Sequence, residues 1–228
     1  MVIGNGLIAN AFRHYLNNDK IIFFASGVSN SISEDENNYR KELDLLESVL
    51  SKRKENQILI YFSSFNIFDP TLSLNRYVIH KKAVESFLSQ HKNTTIIRLP
   101  IVLAKSNNPT TLINYLIKSI YNNTNITIYS DAWRYVISLD DTVNMVESIL
   151  KVQTNLLPFY NISYPTPIKV EMMLKLIETH LNKKALQKHS ISKGCFYDIT
   201  EISYNFNHVN SEVNSTETYF TDFLIKNF

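Results

Sequence analysis

Residues 4–9 read Gly4-Asn5-Gly6-Leu7-Ile8-Ala9, a G-x-G-x-x-A turn directly behind the apolar Val2-Ile3. Few short motifs restrict a fold as much. The first glycine allows a tight turn out of a strand, the second lets backbone approach a ligand, and a small third residue lets helix pack on strand. The chain holds only four glycines in 228 residues, where average usage of ~7% would give about four times as many. Two of them standing here mark a specific turn. Ile8, Phe12 and Leu16 then recur at i, i+4 and i+8, one apolar stripe of a following helix. The ligand such a turn suits is a pyrophosphate, met by free backbone N–H groups at the helix start.

A strand–helix alternation continues from there. After the polar Asn17-Asn18-Asp19, the run Ile21-Ile22-Phe23-Phe24 reads as a strand covered on both faces, as in a parallel sheet. Residues 26–38 read as a polar surface loop. A helix is expected over 39–53, with Leu43, Leu46 and Leu50 on one side. Ile58-Leu59-Ile60-Tyr61-Phe62 is a second buried run, closing at Ser63-Ser64. A helix from Tyr77 to Gln90 and a strand Thr95–Leu99, stopped by Pro100, follow. This rhythm predicts a doubly wound α/β sheet with helices on both faces.

Past residue 103 the rhythm loosens. A helix near 111–121 and a strand at 126–129 read as an excursion from the sheet. The sheet is expected to resume near 132–165, through Tyr135–Ser138, a helix that Asp140-Asp141 would cap, and Phe159–Ser163. Pro165 and Pro167 precede a helix at 168–182. The expected division is a core over 1–103 with that return, and a small lobe from 104–131 and 166–228.

Composition removes several classes of function. With 44% apolar and 19% charged residues, a chain of this length suits one domain, or one with a small lobe, and buries ~70% of its unfolded surface. A net charge of +2 without a dense basic run argues against nucleic acid as a partner. One cysteine, Cys195, excludes an internal disulfide framework or a thiolate zinc cluster, and has no evident activating partner. The six histidines lack metal-ligand spacing, so no metal is expected. The opening residues hold no secretory signal and no apolar run nears the ~20 residues that span a bilayer. A soluble, cytoplasmic protein without a membrane partner is the expectation.

Two further places carry chemistry. The strand Ile21–Phe24 ends in Ala25-Ser26-Gly27 with no acid to clasp ribose hydroxyls. Read as the adenosine-side strand, it tilts the cofactor toward NADP, with NAD as the alternative. Arg40 either supplies charge to a 2′-phosphate or is a solvated helix residue. Tyr77 and Lys81, at i and i+4, share one helix face. An ammonium beside a phenol favours tyrosinate and suits it to acid–base work near neutral pH.

Taken in order, these features resemble the extended short-chain dehydrogenase/reductase superfamily, in its nucleotide-sugar epimerase, dehydratase and reductase branch. The shared features are the glycine turn, Tyr61-Phe62-Ser63-Ser64, Tyr77-x-x-x-Lys81, Ile97-Arg98-Leu99-Pro100 and Arg134-Tyr135-Val136-Ile137-Ser138-Leu139-Asp140-Asp141. The resemblance implies a Rossmann-type sheet with a C-terminal substrate-binding lobe. It implies that Gly4, Asn5, Gly6, Leu7, Ile8, Tyr77, Lys81 and Pro100 meet the cofactor, with Ala25, Ser26 and, on the first of its two readings, Arg40 toward the adenosine ribose. Ser64 would hydrogen-bond the substrate oxygen, Tyr77 would exchange its proton, and Lys81 would hold the nicotinamide ribose. Arg134 would pair with the diphosphate of a nucleotide sugar, against the reading of a surface arginine beside Trp133. Ser63 reads as a satisfied strand-end hydroxyl.

The departures also inform. Relatives have two more strands between the glycine turn and the serine strand, so this sheet should be narrower. Phe65-Asn66 stand where the dehydratases carry an acid pair, which disfavours dehydration. The expected activity is reduction of a nucleotide-linked keto-sugar in surface-polysaccharide synthesis. A nucleotide-sugar epimerase and a non-catalytic NADP-sensing protein are the alternatives. A homodimer through the Tyr77 helix and its neighbour is the assembly the resemblance implies.

Overall fold

The computed structural model describes residues 1–31, 35–106, 108, 111–152, 155–186, 188–199 and 215–228. Val2–Ile3 form β1, Leu7–Ala11 form α1, and Ile21–Phe24 form β2. Then come α2 (Glu36–Lys52), β3 (Ile58–Ser64), α3 (Arg76–Leu88) and β4 (Thr94–Leu99). With β9 at Phe159–Asn161, four of these strands make a five-stranded parallel sheet of order β1-β2-β3-β4-β9. The apolar runs form strands because both their faces are covered. Ile60 and Phe62 turn to one layer, Leu59 and Tyr61 to the other. This is the expected Rossmann-like sheet, and it is narrow as expected.

Two helical layers enclose it. α2 and α3 cover one face, burying Leu46, Val84 and Leu88 against Ile22, Phe24, Leu59, Tyr61 and Ile96. The other face carries α1 and α5 (Leu139–Val152), around Phe12, Phe23, Phe62 and Val146. Phe12 stacks on Phe23 and Phe62 with ring centroids 4.5 and 5.5 Å away. Each such buried ring contributes roughly 1.5–3 kcal/mol.

The strand order carries the main surprise. In the doubly wound order 3-2-1-4-5-6 the first strand is central. Here β1 is an edge among the described residues, and β2 lies between it and the serine-bearing β3. That is the place of strand 4, so the reading of Ile21–Phe24 as the adenosine-side strand is corrected. The connection β1–α1–β2 passes over one face while β2–α2–β3 and β3–α3–β4 pass over the other, all advancing the same way across the sheet. The two kinds of crossover therefore have opposite hand, although parallel crossovers are right-handed in ~98% of cases. Removing strands 2 and 3 from a doubly wound sheet produces this arrangement.

α1 is also shorter than the periodicity predicts. It ends at Ala11, passes into a 3-10 turn at Arg13–Tyr15, and leaves Leu16 51% exposed. The chain must reverse within a few residues to reach β2. The Asn18 carboxamide oxygen makes that reversal by accepting from the N–H groups of Lys20 and Ile21, both at 2.9 Å.

Beyond β4, Ile101–Leu103 (β5) pairs in parallel with Val136–Ser138 (β8). A second core gathers α4 (Leu112–Asn122), β6 (Ile126–Tyr129), α6 (Val170–His180) and α7 (Thr216–Asn227), with Leu116, Ile120, Met173 and Phe220 buried at its centre. Two short pairs flank it: β7 (Trp133–Arg134) with β10 (Ile168–Lys169), and β6 with β11 (Lys188–Ile191). The side chain capping α5 is Ser138, whose hydroxyl accepts from the Asp141 N–H at 3.0 Å, rather than the Asp140-Asp141 pair. Those acids occupy the first turn, where the helix dipole favours them. The Tyr219 hydroxyl bonds Asp141 and accepts from the Ser138 N–H, tying α7 to the start of α5. No helix among the described residues is long and apolar enough to cross a membrane.

Candidate functional site

The glycine turn sits at the carboxyl end of β1 with Gly4, Asn5 and Gly6 exposed. Gly4 has φ +121°, and a Cβ there would lie 2.4 Å from the Ala25 carbonyl oxygen. It is therefore needed by the close approach of β1 to the chain leaving β2. Gly6 differs, since a Cβ there would meet nothing within 4 Å. An open backbone of this type suits close approach by a phosphate. Ala25 and Ser26 thus flank the turn itself, while Arg40 is exposed on α2.

On the face under α2 and α3 lies a buried polar cluster. Glu42, 2% exposed, sits on the buried side of α2 with Tyr39 and Leu46. Its Oε1 accepts from the Lys81 ammonium at 2.9 Å and the Tyr61 hydroxyl at 2.6 Å. Its Oε2 meets His80 Nε2 at 3.0 Å and accepts from the Val28 N–H at 2.7 Å. Lys81 also donates to the Tyr61 hydroxyl at 2.7 Å. Burial by itself raises the Glu42 carboxyl, but the bond to His80, the Lys81 charge, Tyr61 and Val28 outweigh it and hold the pKa at about 2. Burial and the adjacent Glu42 push the Tyr61 phenol well above its usual range.

Lys81 is consequently enclosed. Two of its three donors are spent, and a Cβ on Gly27 would lie 2.7 Å from its nitrogen, so the loop after β2 closes over it. Tyr77, one turn earlier on α3, has a buried ring whose centroid is 5.7 Å from the Lys81 ammonium. Its hydroxyl has no hydrogen-bond partner among the described residues. Asn75 starts this helix by accepting from the Val78 N–H at 3.3 Å, which places Tyr77 in the first turn.

Of the two serines at the end of β3, one differs from the sequence expectation. Ser64 accepts from the Asn66 N–H at 3.2 Å and so caps the 3-10 turn Phe65–Phe68, keeping its own proton to donate. Ser63, read as satisfied, is instead the buried hydroxyl without a partner among the described residues. Strand pairing places it opposite Arg98, whose guanidinium is committed to Glu85.

Arg134 is brought from β7 to the segment between Ser64 and Tyr77. It pairs with the buried Asp69 at 3.4 Å and donates to the Trp133 carbonyl at 2.7 Å. Its side chain is 22% exposed, leaving donors for a further anion. Asp69 also accepts from the Thr71 N–H and hydroxyl, at 2.9 and 2.6 Å. The Cys195 thiol lies 3.8 Å from Asp69, and burial followed by that charge raises its pKa, which lowers its reactivity. Arg98 forms a forked pair with Glu85, with Nε 3.0 Å from Oε1 and Nη2 2.6 Å from Oε2. Its role is to fix α3 on β4. Pro100 stands half-buried between β4 and β5.

Sequence reasoning missed Glu42, His80, Tyr61 and Asp69. For Glu42 a signal existed, because it occupies the position before Leu43 on a stripe that continues through Leu46. A charge in such a register is normally solvated, which hid its meaning. The fit to a dinucleotide is uneven. The turn at Gly4–Gly6 suits a pyrophosphate, while the outer edge of β1 offers no strand to carry an adenosine among the described residues.

No protein-family model matches the sequence, and no curated protein matches it. Solved structures do. A UDP-glucuronic acid 4-epimerase from Bacillus cereus, in complex with UDP-glucuronic acid and NAD, superposes with a TM-score of 0.68 at 17% identity. That match covers 97% of this chain and 80% of the epimerase. TunA, an NAD-dependent NDP-hexosamine 5,6-dehydratase of tunicamycin biosynthesis, gives 0.69 at 14% identity over 93% of this chain and 78% of its own. RMD from Pseudomonas aeruginosa, complexed with NADPH, gives 0.66 at 12% identity over 90% and 80%. The structural neighbours are thus NAD-dependent nucleotide-sugar epimerases and dehydratases together with an NADPH-complexed protein, and at these identities the likeness concerns the fold.

Proposed function

We propose that this chain is a nicotinamide-dinucleotide-dependent enzyme that reduces a keto group on a nucleotide-linked sugar. The observation that carries the reading is Tyr77, whose hydroxyl is unpartnered among the described residues and lies one helix turn from an ammonium in a Rossmann-like fold. The neighbours' complexes with nucleotide sugars and nicotinamide dinucleotides support the class of substrate and cofactor.

The roles proposed here are those the family resemblance implies, taken together with the contacts each side chain makes. The exposed backbone at Gly4–Gly6 receives the pyrophosphate, with Asn5, Leu7 and Ile8 beside it. When bound, the dinucleotide supplies a hydride to the carbonyl carbon. Tyr77 gives its phenolic proton to the carbonyl oxygen and recovers one from solvent. Ser64, held by the Asn66 N–H, donates a hydrogen bond to the same oxygen; a preorganised donor of this kind is worth ~3 kcal/mol. Arg134 offers its remaining donors to the diphosphate. Lys81 has one donor left for a ribose hydroxyl, and using it requires the Gly27 loop to shift. Reduction is preferred to epimerisation because an epimerase must retain its cofactor through the cycle, and the β1 edge, unpaired among the described residues, offers little to retain it. The pathway, surface-polysaccharide synthesis, rests on the family resemblance alone.

One observation favours a second reading. The Lys81 charge is balanced by Glu42 and shielded from solvent, as suits a nucleotide-binding protein without turnover. A panel of nucleotide-linked 4-keto-sugars with NADH or NADPH, followed by nicotinamide absorbance, separates them. A reductase consumes the reduced nucleotide stoichiometrically, and Tyr77→Phe lowers kcat by at least about 100-fold. Binding without consumption identifies the second reading; conversion of a sugar epimer without net consumption identifies an epimerase.

A further inference from the structure

We infer that this chain holds its nicotinamide dinucleotide without reading the adenosine ribose, and so does not distinguish NADH from NADPH. This rests on the reading above and goes beyond it by specifying how the cofactor is recognised.

In the doubly wound order, the residue that clasps the ribose 2′-hydroxyl, or accepts a 2′-phosphate, stands at the end of strand 2. That strand neighbours strand 1 on the side away from strand 4. In this chain β2 pairs with β1 and with β3, which fills the strand-4 place, and the opposite edge of β1 pairs with no strand among the described residues.

The connection between β1 and β2 is described in full and has no length to spare. Gly6 caps α1, and its carbonyl accepts from the Asn10 N–H at 3.0 Å. The 3-10 turn follows, with the Tyr15 N–H on Phe12 O at 2.9 Å and the Asn18 N–H on Tyr15 O at 2.9 Å. Asn18 then turns the chain into β2, its carboxamide oxygen holding the N–H groups of Lys20 and Ile21, both at 2.9 Å. A connection committed in this way has no segment of its own free to reach around the ribose.

The residues expected to read the ribose stand elsewhere. Ala25 packs on Gly4 beside the pyrophosphate turn, with Ser26 next to it. Arg40 is carried by α2, whose buried face lies on β2 and β3 through Ile22, Phe24 and Leu59. Binding free energy then comes from the pyrophosphate and the nicotinamide half. A group at the ribose 2′ position changes it little.

The test is the dissociation constant of the purified chain for NADH and for NADPH, by titration of nicotinamide fluorescence at fixed ionic strength. The expected ratio is below about tenfold, with Gly6→Val weakening both nucleotides alike. A ratio above about tenfold in either direction overturns the inference, since some group, such as Arg13 on the 3-10 turn, then reads the ribose. It leaves the proposed activity standing. Failure of both nucleotides to bind overturns the proposed activity, and this inference with it.

Discussion

The Lys81 ammonium on α3 lies 2.9 Å from the Glu42 carboxylate on α2, and both residues are only 2% exposed. A pair this deep is held by its full set of hydrogen bonds, because the desolvation of two charges is of the same order as their attraction. Here Tyr61, His80 and Val28 complete that set, so the pair links α2, α3, β3 and the loop after β2.

Replacing Glu42 by Gln keeps the shape and removes the charge that balances Lys81. The expected loss is roughly 3–5 kcal/mol of unfolding free energy, read by urea titration. A loss under about 1 kcal/mol contradicts the buried pair.

The same pair has a pH signature. Glu42 is depressed from 4.5 to about 2 in the folded chain, so its contribution is complete above pH 4.5 and is lost as pH falls toward 2. Glu42→Gln removes that part of the acid limb. Unfolding midpoints of the two proteins between about pH 5 and 3 should therefore converge on acidification.

The two turn glycines should respond in opposite ways. Gly4→Ala meets the Ala25 carbonyl at a positive φ and costs more than about 1 kcal/mol of stability. Gly6→Val faces open space, so it folds normally and loses nicotinamide-nucleotide affinity. Thermal melts with a binding titration on each variant check the contrast.

Ser63 and Ser64 should likewise separate. Ser63→Ala deletes a buried hydroxyl with no partner among the described residues, so stability stays level or rises. Ser64→Ala loses its turn-capping bond, costing about 1 kcal/mol, and removes the hydroxyl offered to the substrate oxygen. A fall in kcat of about 100-fold for Ser64→Ala alone is expected.

Tyr219→Phe tests the docking of α7. It leaves the Ser138 N–H without its acceptor and removes the phenol bond to Asp141, for about 1–3 kcal/mol. Faster amide exchange at Ser138 and across residues 216–227 is the expected readout.

Much of this architecture is legible from local pattern. Ile21–Phe24 and Ile58–Phe62 are unbroken apolar runs, and only a strand covered on both faces has a use for them. The helix of Tyr77 and Lys81, expected from Tyr77 to Gln90, runs over Arg76–Leu88, and the turn at Gly4 follows from a backbone demand that few residues meet. Periodicity was less reliable for Leu16, because the reversal into β2 ended the helix before the stripe did.

What the amino-acid order determined by itself is the succession of strands and helices, the glycine turn, and the shared face of Tyr77 and Lys81, since each depends on residues within a few turns of one another. Tertiary structure decided which strands lie side by side, and so put β2 in the place of strand 4 with β1 at the edge. It also decided that Lys81 meets Glu42, 39 residues away, and that Arg134 meets Asp69, 65 residues away. An apolar run records that it will be buried without naming its neighbour. A charge on a helix likewise reads as solvated until packing removes the water and leaves one counter-charge within reach.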